Sequence, residues 1–282
     1  MSTSKSTRVV ILGAGTQGRR LAYMWSSEGG PVTLVDLQEK QLRDGLDYVQ
    51  QLREAKPDEA DHWGEIEIAR PDSLAASLQN SWLVIEVIAE LDDLAPLNTI
   101  IASNSSSYGI AEILDGLSLK NQTRRRDIVA DKVDQILSDW PPETSAIEIM
   151  GHEKTDPPIL AHLLESCKAH GFSPFHVKKS SIGYIYNRIW AAIKRETLLT
   201  LSEGVCTPEE IDSIFKNVLK TPKGPCEQMD VVGLDVVLDI ENHYAESRDG
   251  LPTEPREYLK RFIQNGELGV KSGKGFYNYD SL

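Results

Sequence analysis

The sequence predicts an α/β domain built on a doubly wound sheet, followed by an all-α C-terminal domain. Three observations carry that prediction. Short apolar runs alternate with amphipathic runs through the first half of the chain, the pattern of parallel strands covered on both faces. A glycine-rich turn separates the first apolar run from the first helix. Beyond residue 180 helical periodicity takes over, and no strand pattern returns before the C-terminal tail.

RVVIL (8–12) is a buried-strand run rich in β-branched residues, and GAGTQG (13–18) follows it at once. RRLAYMWSSEG (19–29) then reads as a helix ending at glycine, and PVTLVD (31–36) as a second strand closed by an acid. Gly13 permits the tight turn, Gly15 lets backbone amides approach a pyrophosphate, and Gly18 lets helix and strand pack closely. With Thr16 and Gln17 they open the helix, whose N-terminal N–H groups and dipole favour phosphate. Asp36, about 20 residues on, is placed to accept hydrogen bonds from a ribose diol and would repel a 2′-phosphate. A Rossmann-type domain binding NAD in preference to NADP is the expectation.

EKQLRDGLDYVQQLREA (39–55) has helical spacing at Leu42, Leu46, Val49 and Leu52. EIEIA reads as a short strand, SLAASLQ as a helix, and WLVIEVI (82–88) and NTIIASNSSS (98–107) as further strands. The serines of the last lie where open α/β sheets bind ligands, although a plain turn or N-cap before a helix near Ile110 fits them too. RDIVADKVDQIL reads as a helix with Ile128 or Val129, Val133, Ile136 and Leu137 on one face; WPPETSAIEIM (140–150) turns strand-like.

The expected boundary puts the cofactor domain at 1–178 and the helical domain at 179–282, with KKSS (178–181) as the junction. A helix over 180–204 carries Ile185, Ile189, Ile193 and Leu199 along one stripe and stops at Gly204. TPEE (207–210) is a capping box, with Thr207 as N-cap, Pro208 in the first turn and Glu210 reaching back. Ile211, Ile214, Phe215, Val218 and Leu219 follow at core-facing spacing. A third helix runs from about Pro225 through VVGLDVVLDI, with Gly233 inside it. LGVKSGKGFYNYD (268–280) is a glycine-punctuated loop.

The formal charge of −13 over 282 residues argues against nucleic-acid or anionic-membrane partners; RRR (124–126) and KK (178–179) read best as solvated faces. Three widely spaced cysteines, in no CxxC pattern, fit a reducing compartment, and the histidines form no HExxH. No window reaches the roughly 18 apolar residues of a membrane span. The N-terminus has no signal-like core, and YDSL is not the SKL peroxisomal address. A cytoplasmic location is expected, with the peroxisome left open.

GAGTQG with Asp36, ASNSSS, GYIYNR, TPEEIDSIF, TPKGPCEQMDVVGLD and LGVKSGKGFYNY, in that order and spacing, resemble successive signatures of the L-3-hydroxyacyl-CoA dehydrogenase family across nearly the whole chain. The wording of 140–245 is similar to a branch that includes lambda-crystallin-like 3-hydroxy-acid dehydrogenases. The resemblance implies oxidation of a 3-hydroxyl to a ketone, with hydride passing to NAD, and a small-molecule substrate, an acyl-CoA or a hydroxy acid. It also implies a homodimer, paired through helices like 184–204 and 211–219. It places Ser106 and Asn187 on the reacting oxygen and makes Glu148 the partner of a catalytic histidine. The position of that histidine falls on Leu137, counted from Pro141 or from Asn187.

The sequence departs from the family elsewhere too. Val87 to Ile100 leaves a crossover near the minimum for parallel strands, while Ser106 to Pro141 is longer than the family's. The helical hairpin that holds coenzyme A is shortened. Asp139 and His152 are the nearest substitute bases in sequence. A family member with impaired catalysis and a structural or regulatory role is the alternative expectation. A third is a mis-joined coding sequence, altered at 88–98 and 124–140.

Overall fold

The computed structural model describes residues 8–56, 62–85, 91–96, 99–103, 128–132, 145–151 and 155–279. These divide at Tyr184/Ile185 into two compact units, a few residues beyond the boundary expected at 178/179.

In the first unit, β1 (Arg8–Leu12), α1 (Thr16–Trp25), β2 (Val32–Val35), α2 (Glu39–Glu54) and β3 (Ile66–Ala69) wind one way. α3 (Leu74–Leu78) leads to β4 (Ser81–Ile85) on the other side of β1, and the chain continues through α4 (Leu91–Leu94) to β5 (Ile100–Ser103). The sheet is completed by β6 (Ile128–Lys132), β7 (Ala146–Gly151), α5 (Pro157–Ala169) and β8 (Ser173–Val177). Spatial order is β3-β2-β1-β4-β5-β6-β7-β8. The order reverses between β1 and β4, and the crevice at that switch point is where such sheets bind ligands. Pairing is parallel except between β6 and β7, so the last two strands run against the rest.

Alternation along the strands builds the two faces. Val9, Ile11, Leu34, Leu83, Ile85, Ile100, Ile147 and Ile149 join one core with Leu21 and Trp25 of α1, Leu42 and Val49 of α2 and Leu163 of α5. Val10, Val35, Val84 and Ile101 point the other way, onto Leu74 and Leu78 of α3 and Leu91 of α4. The short crossover is therefore bridged by the four-residue α4, and β4 and β5 still pair in parallel register, Leu83 opposite Ile100.

One expectation fails here. Residues 128–132 lie in a strand and not in the expected helix. Ala102 and Ser103 pair with Ile128 and Val129 on one side, and Ile128–Lys132 pairs with Ile147–Gly151 on the other. Between two sheet edges the segment satisfies its backbone groups by ladder bonds, and that tertiary demand overrides a local helical pattern. The remainder of the expected helix, the turn and helix near Ile110, and residues 86–90 fall outside the described residues. α5 and β8 carried no expectation.

The second unit holds α6 (Tyr186–Ser202), α7 (Pro208–Leu219), α8 (Pro225–Val232), α9 (Leu234–Ser247) and α10 (Glu254–Gln264). Its core joins Leu198, Leu201, Ile211, Cys226, Met229, Leu234, Val237 and Leu259. The capping box forms as expected: the Glu210 N–H donates to Thr207 Oγ1 at 3.3 Å and the Thr207 N–H to Glu210 Oε2 at 2.8 Å. Gly233 breaks the expected third helix in two, because its φ of 104° leaves the helical region.

Both apolar stripes face differently from their expected orientation. Of the α7 set only Ile211 is buried, while Ile214, Val218 and Leu219 are exposed. On α6, Ile185 and Ile189 are exposed, and the buried face carries Trp190, Ala191, Lys194, Arg195, Thr197, Leu198 and Leu201.

Two buried aspartates tie the C-terminal loop to the helices. Asp212 accepts from the N–H groups of Cys226 and Glu227 at the start of α8 and from the Tyr277 hydroxyl at 2.7 Å. Asp230 accepts from the N–H groups of Phe276 and Tyr277, each at 3.0 Å, and from the Tyr279 hydroxyl. That is the structural meaning of the GFYNY signature.

Candidate active site

The cofactor cradle starts where β1 ends. Gly13 has φ 98°, open only to glycine, and its N–H donates to Val35 O at 2.7 Å. Gly18 lies in the first turns of α1, where a Cβ would sit 1.7 Å from Gly13 O, so turn and helix touch backbone to backbone. Gly15 differs from both. Its φ of −66° suits any residue and a Cβ there would meet nothing within 4 Å. The bare backbone therefore leaves space for a ligand rather than serving the fold. Thr16 and Gln17, in the first turn of α1, flank that space.

Asp36, just past β2, has two attachments: Oδ2 accepts from the Ala14 N–H and Oδ1 from the Gln38 N–H, both at 2.8 Å. The acid braces the glycine turn, and its carboxylate oxygens retain acceptor capacity for a ribose diol. Open space before Gly15, helix N–H groups and an acid beyond β2 fit a dinucleotide without a 2′-phosphate. Asp36→Ala is expected to raise the NAD dissociation constant by about 10–100-fold, the worth of a charge-assisted hydrogen bond, and to shrink discrimination against NADP. Titration by cofactor fluorescence measures both; unchanged discrimination would contradict this role for Asp36.

Glu148 lies in β7, 2% exposed, opposite Asp131 of β6 and Phe175 of β8. A carboxylate buried in mid-sheet is costly to place without a function or a partner, and this one has interactions within the fold. Asn187 belongs to the other unit, in the first turn of α6, partly buried. A strained turn sets that helix start. Tyr184, 2% exposed, has φ 53°; its N–H donates to Ser181 O at 3.1 Å, and Ser181 Oγ donates to Tyr184 O at 2.9 Å. A left-handed tyrosine costs about 1–3 kcal/mol, and such strain clusters at functional sites. Ser106, Leu137, Asp139 and His152 lie outside the described residues. Ser103, at the end of β5 just before them, is fully buried.

Residues 8–180 match the family model of the 3-hydroxyacyl-CoA dehydrogenase NAD-binding domain, and residues 183–279 match the C-terminal domain of the same family. The chain belongs to the 3-hydroxyacyl-CoA dehydrogenase family. The matched N-terminal domain is an NAD-binding one, and the family is one of oxidoreductases. A 3-hydroxyacyl-CoA dehydrogenase-like protein of Cochliobolus heterostrophus is 42% identical over 140 residues, 49% of this chain but 30% of that one. A probable 3-hydroxybutyryl-CoA dehydrogenase of Bacillus subtilis is 26% identical over 97% of both chains. The crystal structure of an (S)-3-hydroxybutyryl-CoA dehydrogenase from Ralstonia eutropha superposes with a TM-score of 0.81 at 25% identity, over 98% of this chain and 99% of that one.

For a 3-hydroxyacyl-CoA dehydrogenase family member, one group of residues was absent from the sequence expectation. Lys194, Arg195 and Glu241 form a buried charged cluster in the helical unit. The signal was available in the 3.6-residue period running from Asn187 through Ala191, Lys194, Leu198 and Leu201. The isoleucine stripe at the same spacing lies on the opposite, exposed face.

Proposed function

We propose that the chain is an NAD-dependent dehydrogenase interconverting a 3-hydroxyacyl-CoA, or a related 3-hydroxy acid, and its 3-keto form. The observation that carries this reading is the cradle, built for NAD in a chain that matches the family along both domains. Gly13, Gly15, Gly18 and Asp36 would hold NAD, which would supply the acceptor for the hydride from C3. Asn187 and Ser106 hold the reacting oxygen, Asn187 by its amide and Ser106 by its hydroxyl. With leucine at 137 the hydroxyl proton passes to solvent water, and Glu148, in β7, stands without the histidine that the resemblance pairs with it. Losing a positioned base costs about 10²–10⁴ in rate, so with leucine at 137 the expected turnover is slow. Ser106→Ala and Asn187→Ala should each remove it while leaving NAD affinity unchanged. Turnover indifferent to both substitutions would contradict these roles.

Leu137 also favours a second reading, a family member that binds NAD for a structural or regulatory purpose; a mis-joined coding sequence over 88–98 and 124–140 would give the same residue. Sequencing the transcript separates the last case.

A homodimer fits the helical unit. Ile185 and Ile189 of α6 and Ile214, Val218 and Leu219 of α7 are 45–70% exposed, apolar side chains of the kind a second copy would cover. Light scattering should give about twice 31.4 kDa; a monomer mass would count against pairing. A cytoplasmic setting fits the free cysteines, Cys167, Cys206 and Cys226. Among the described residues no helix is long and apolar enough to cross a membrane.

A further inference from the structure

One cluster in the helical unit, apart from the buried Asp212 and Asp230, gathers more positive charge than it neutralises. Arg195 of α6 is 8% exposed and grips Glu241 of α9, itself fully buried, through Nε at 2.8 Å and Nη2 at 3.2 Å. That fork takes up both carboxylate oxygens. Two further cations act on the same carboxylate, Lys194 of α6 and Arg256 of α10. Lys194 is only 4% exposed, and among the described residues its ammonium has no hydrogen-bond partner. Arg256 Nη1 is buried without a hydrogen-bond partner. Three cations therefore act on one buried carboxylate, Arg256 also feeling the exposed carboxylate of Glu257, and two of them keep unused donors. A further guanidinium, Arg248, lies 5.5 Å from the centre of the Tyr244 ring, which Arg195 also faces at 5.5 Å.

Such an arrangement is unfavourable as it stands. An ion withdrawn from water costs several kcal/mol unless a counter-charge and hydrogen bonds replace the solvent. Burial pushes the Lys194 ammonium down to about 8, with Arg195 pushing the same way and Glu241 opposing; at neutral pH it is still charged. A packing role alone would be met by leucine or methionine at 194 with less penalty. Position adds a second constraint. Seven residues after Asn187, Lys194 lies within about 20° of the same helix face, roughly 10.5 Å further along the axis. Arg256 is partly exposed and gives the cluster an outer edge.

We infer that Lys194 and Arg256, beside the Arg195–Glu241 pair, form a binding site for one carboxylate group of a small molecule. Two directional donors and a net positive surplus match a two-oxygen monoanion. The source of the carboxylate is either the free acid of a 3-hydroxy substrate or a separate carboxylate that binds alone. The first source rests on the proposed activity; the second does not.

Thermal unfolding of the full chain tests it with acetate and 3-hydroxybutyrate as probes, sodium chloride at equal ionic strength as the control, and inorganic phosphate as a competing anion. Acetate and 3-hydroxybutyrate should raise the melting temperature saturably above the chloride control. Lys194→Met should lose that rise and Lys194→Arg should keep it, with the helical circular dichroism signal and cooperative melting of both variants showing that the helical unit folds. A KM for 3-hydroxybutyrate raised about 10-fold or more in Lys194→Met, with the KM for 3-hydroxybutyryl-CoA unchanged, assigns the carboxylate to the substrate. An acetate response without any KM change assigns it to a separate ligand. No response above chloride, an equal response in Lys194→Met, or a response to phosphate alone would each overturn the site.

Discussion

Gly18→Ala is expected to abolish NAD binding and to destabilise the first unit together. The added methyl would sit 1.7 Å from Gly13 O and 2.9 Å from Gly13 C, and both are backbone atoms in a turn locked by the Gly13–Val35 hydrogen bond. No side chain can swing away, so β1, the turn and α1 must separate. Overpacking of a tight contact typically costs about 1–3 kcal/mol, occasionally more. The same displacement moves the helix N–H groups that would face the pyrophosphate, so affinity should fall at least about 100-fold. Gly15→Ala is the informative partner. Its methyl meets no protein atom within 4 Å and its φ is ordinary, so the protein should unfold at its usual temperature while NAD affinity drops by a similar factor. Chemical denaturation and NAD titration of both variants separate fold from ligand. Equal stability loss in the two would contradict the division of labour among these glycines.

Asp230→Ala should be the most destabilising single change in the helical unit. The carboxylate is fully buried and accepts two backbone N–H groups and one tyrosine hydroxyl from the C-terminal loop. Truncation leaves those donors without an acceptor, at about 1–3 kcal/mol for each buried orphan, and opens a small void beside Gly275. That glycine is tied to the same aspartate, since a Cβ on it would lie 2.1 Å from Asp230 Oδ1. Burial pushes the Asp230 carboxyl above its ordinary value while the loop N–H groups pull it down, so asparagine, with one donor edge, is a poor substitute. A loss of about 3–5 kcal/mol in urea unfolding is expected; a loss under about 1 kcal/mol would mean that the loop is held by its aromatic packing instead.

The cofactor half was legible because each of its elements carries its own local signal. Apolar runs buried on both faces, a glycine turn whose three glycines serve three different needs, and an acid beyond the second strand all report on nearby backbone. Residues 128–132 were not legible in the same way. Their apolar spacing suits a helix, and only the edges of β5 and β7, distant in sequence, make them a strand. In the helical unit the first two helices lie where expected, the third is split at Gly233, α10 carried no expectation, and much of each apolar stripe faces solvent instead of the core. Isoleucines at helical spacing mark an apolar stripe but do not say whether a core or a second molecule covers it. Lys194 and Arg195 are charged, so a sequence reading puts them in solvent, whereas Glu241, 46 residues on in sequence, draws Arg195 inside. Of the site residues, the cradle is described in full; Glu148 and Asn187 are placed on β7 and α6, and the position of each in the chemistry rests on the family resemblance.

The measurement that tests the account most directly is NADH formation, followed by absorbance, with purified full-length protein, NAD and 3-hydroxybutyryl-CoA. The account predicts NAD binding together with slow turnover above background, removed by Asn187→Ala without loss of NAD affinity. NAD binding with NADH formation at background, for the thioester and for free 3-hydroxybutyrate alike, would contradict it.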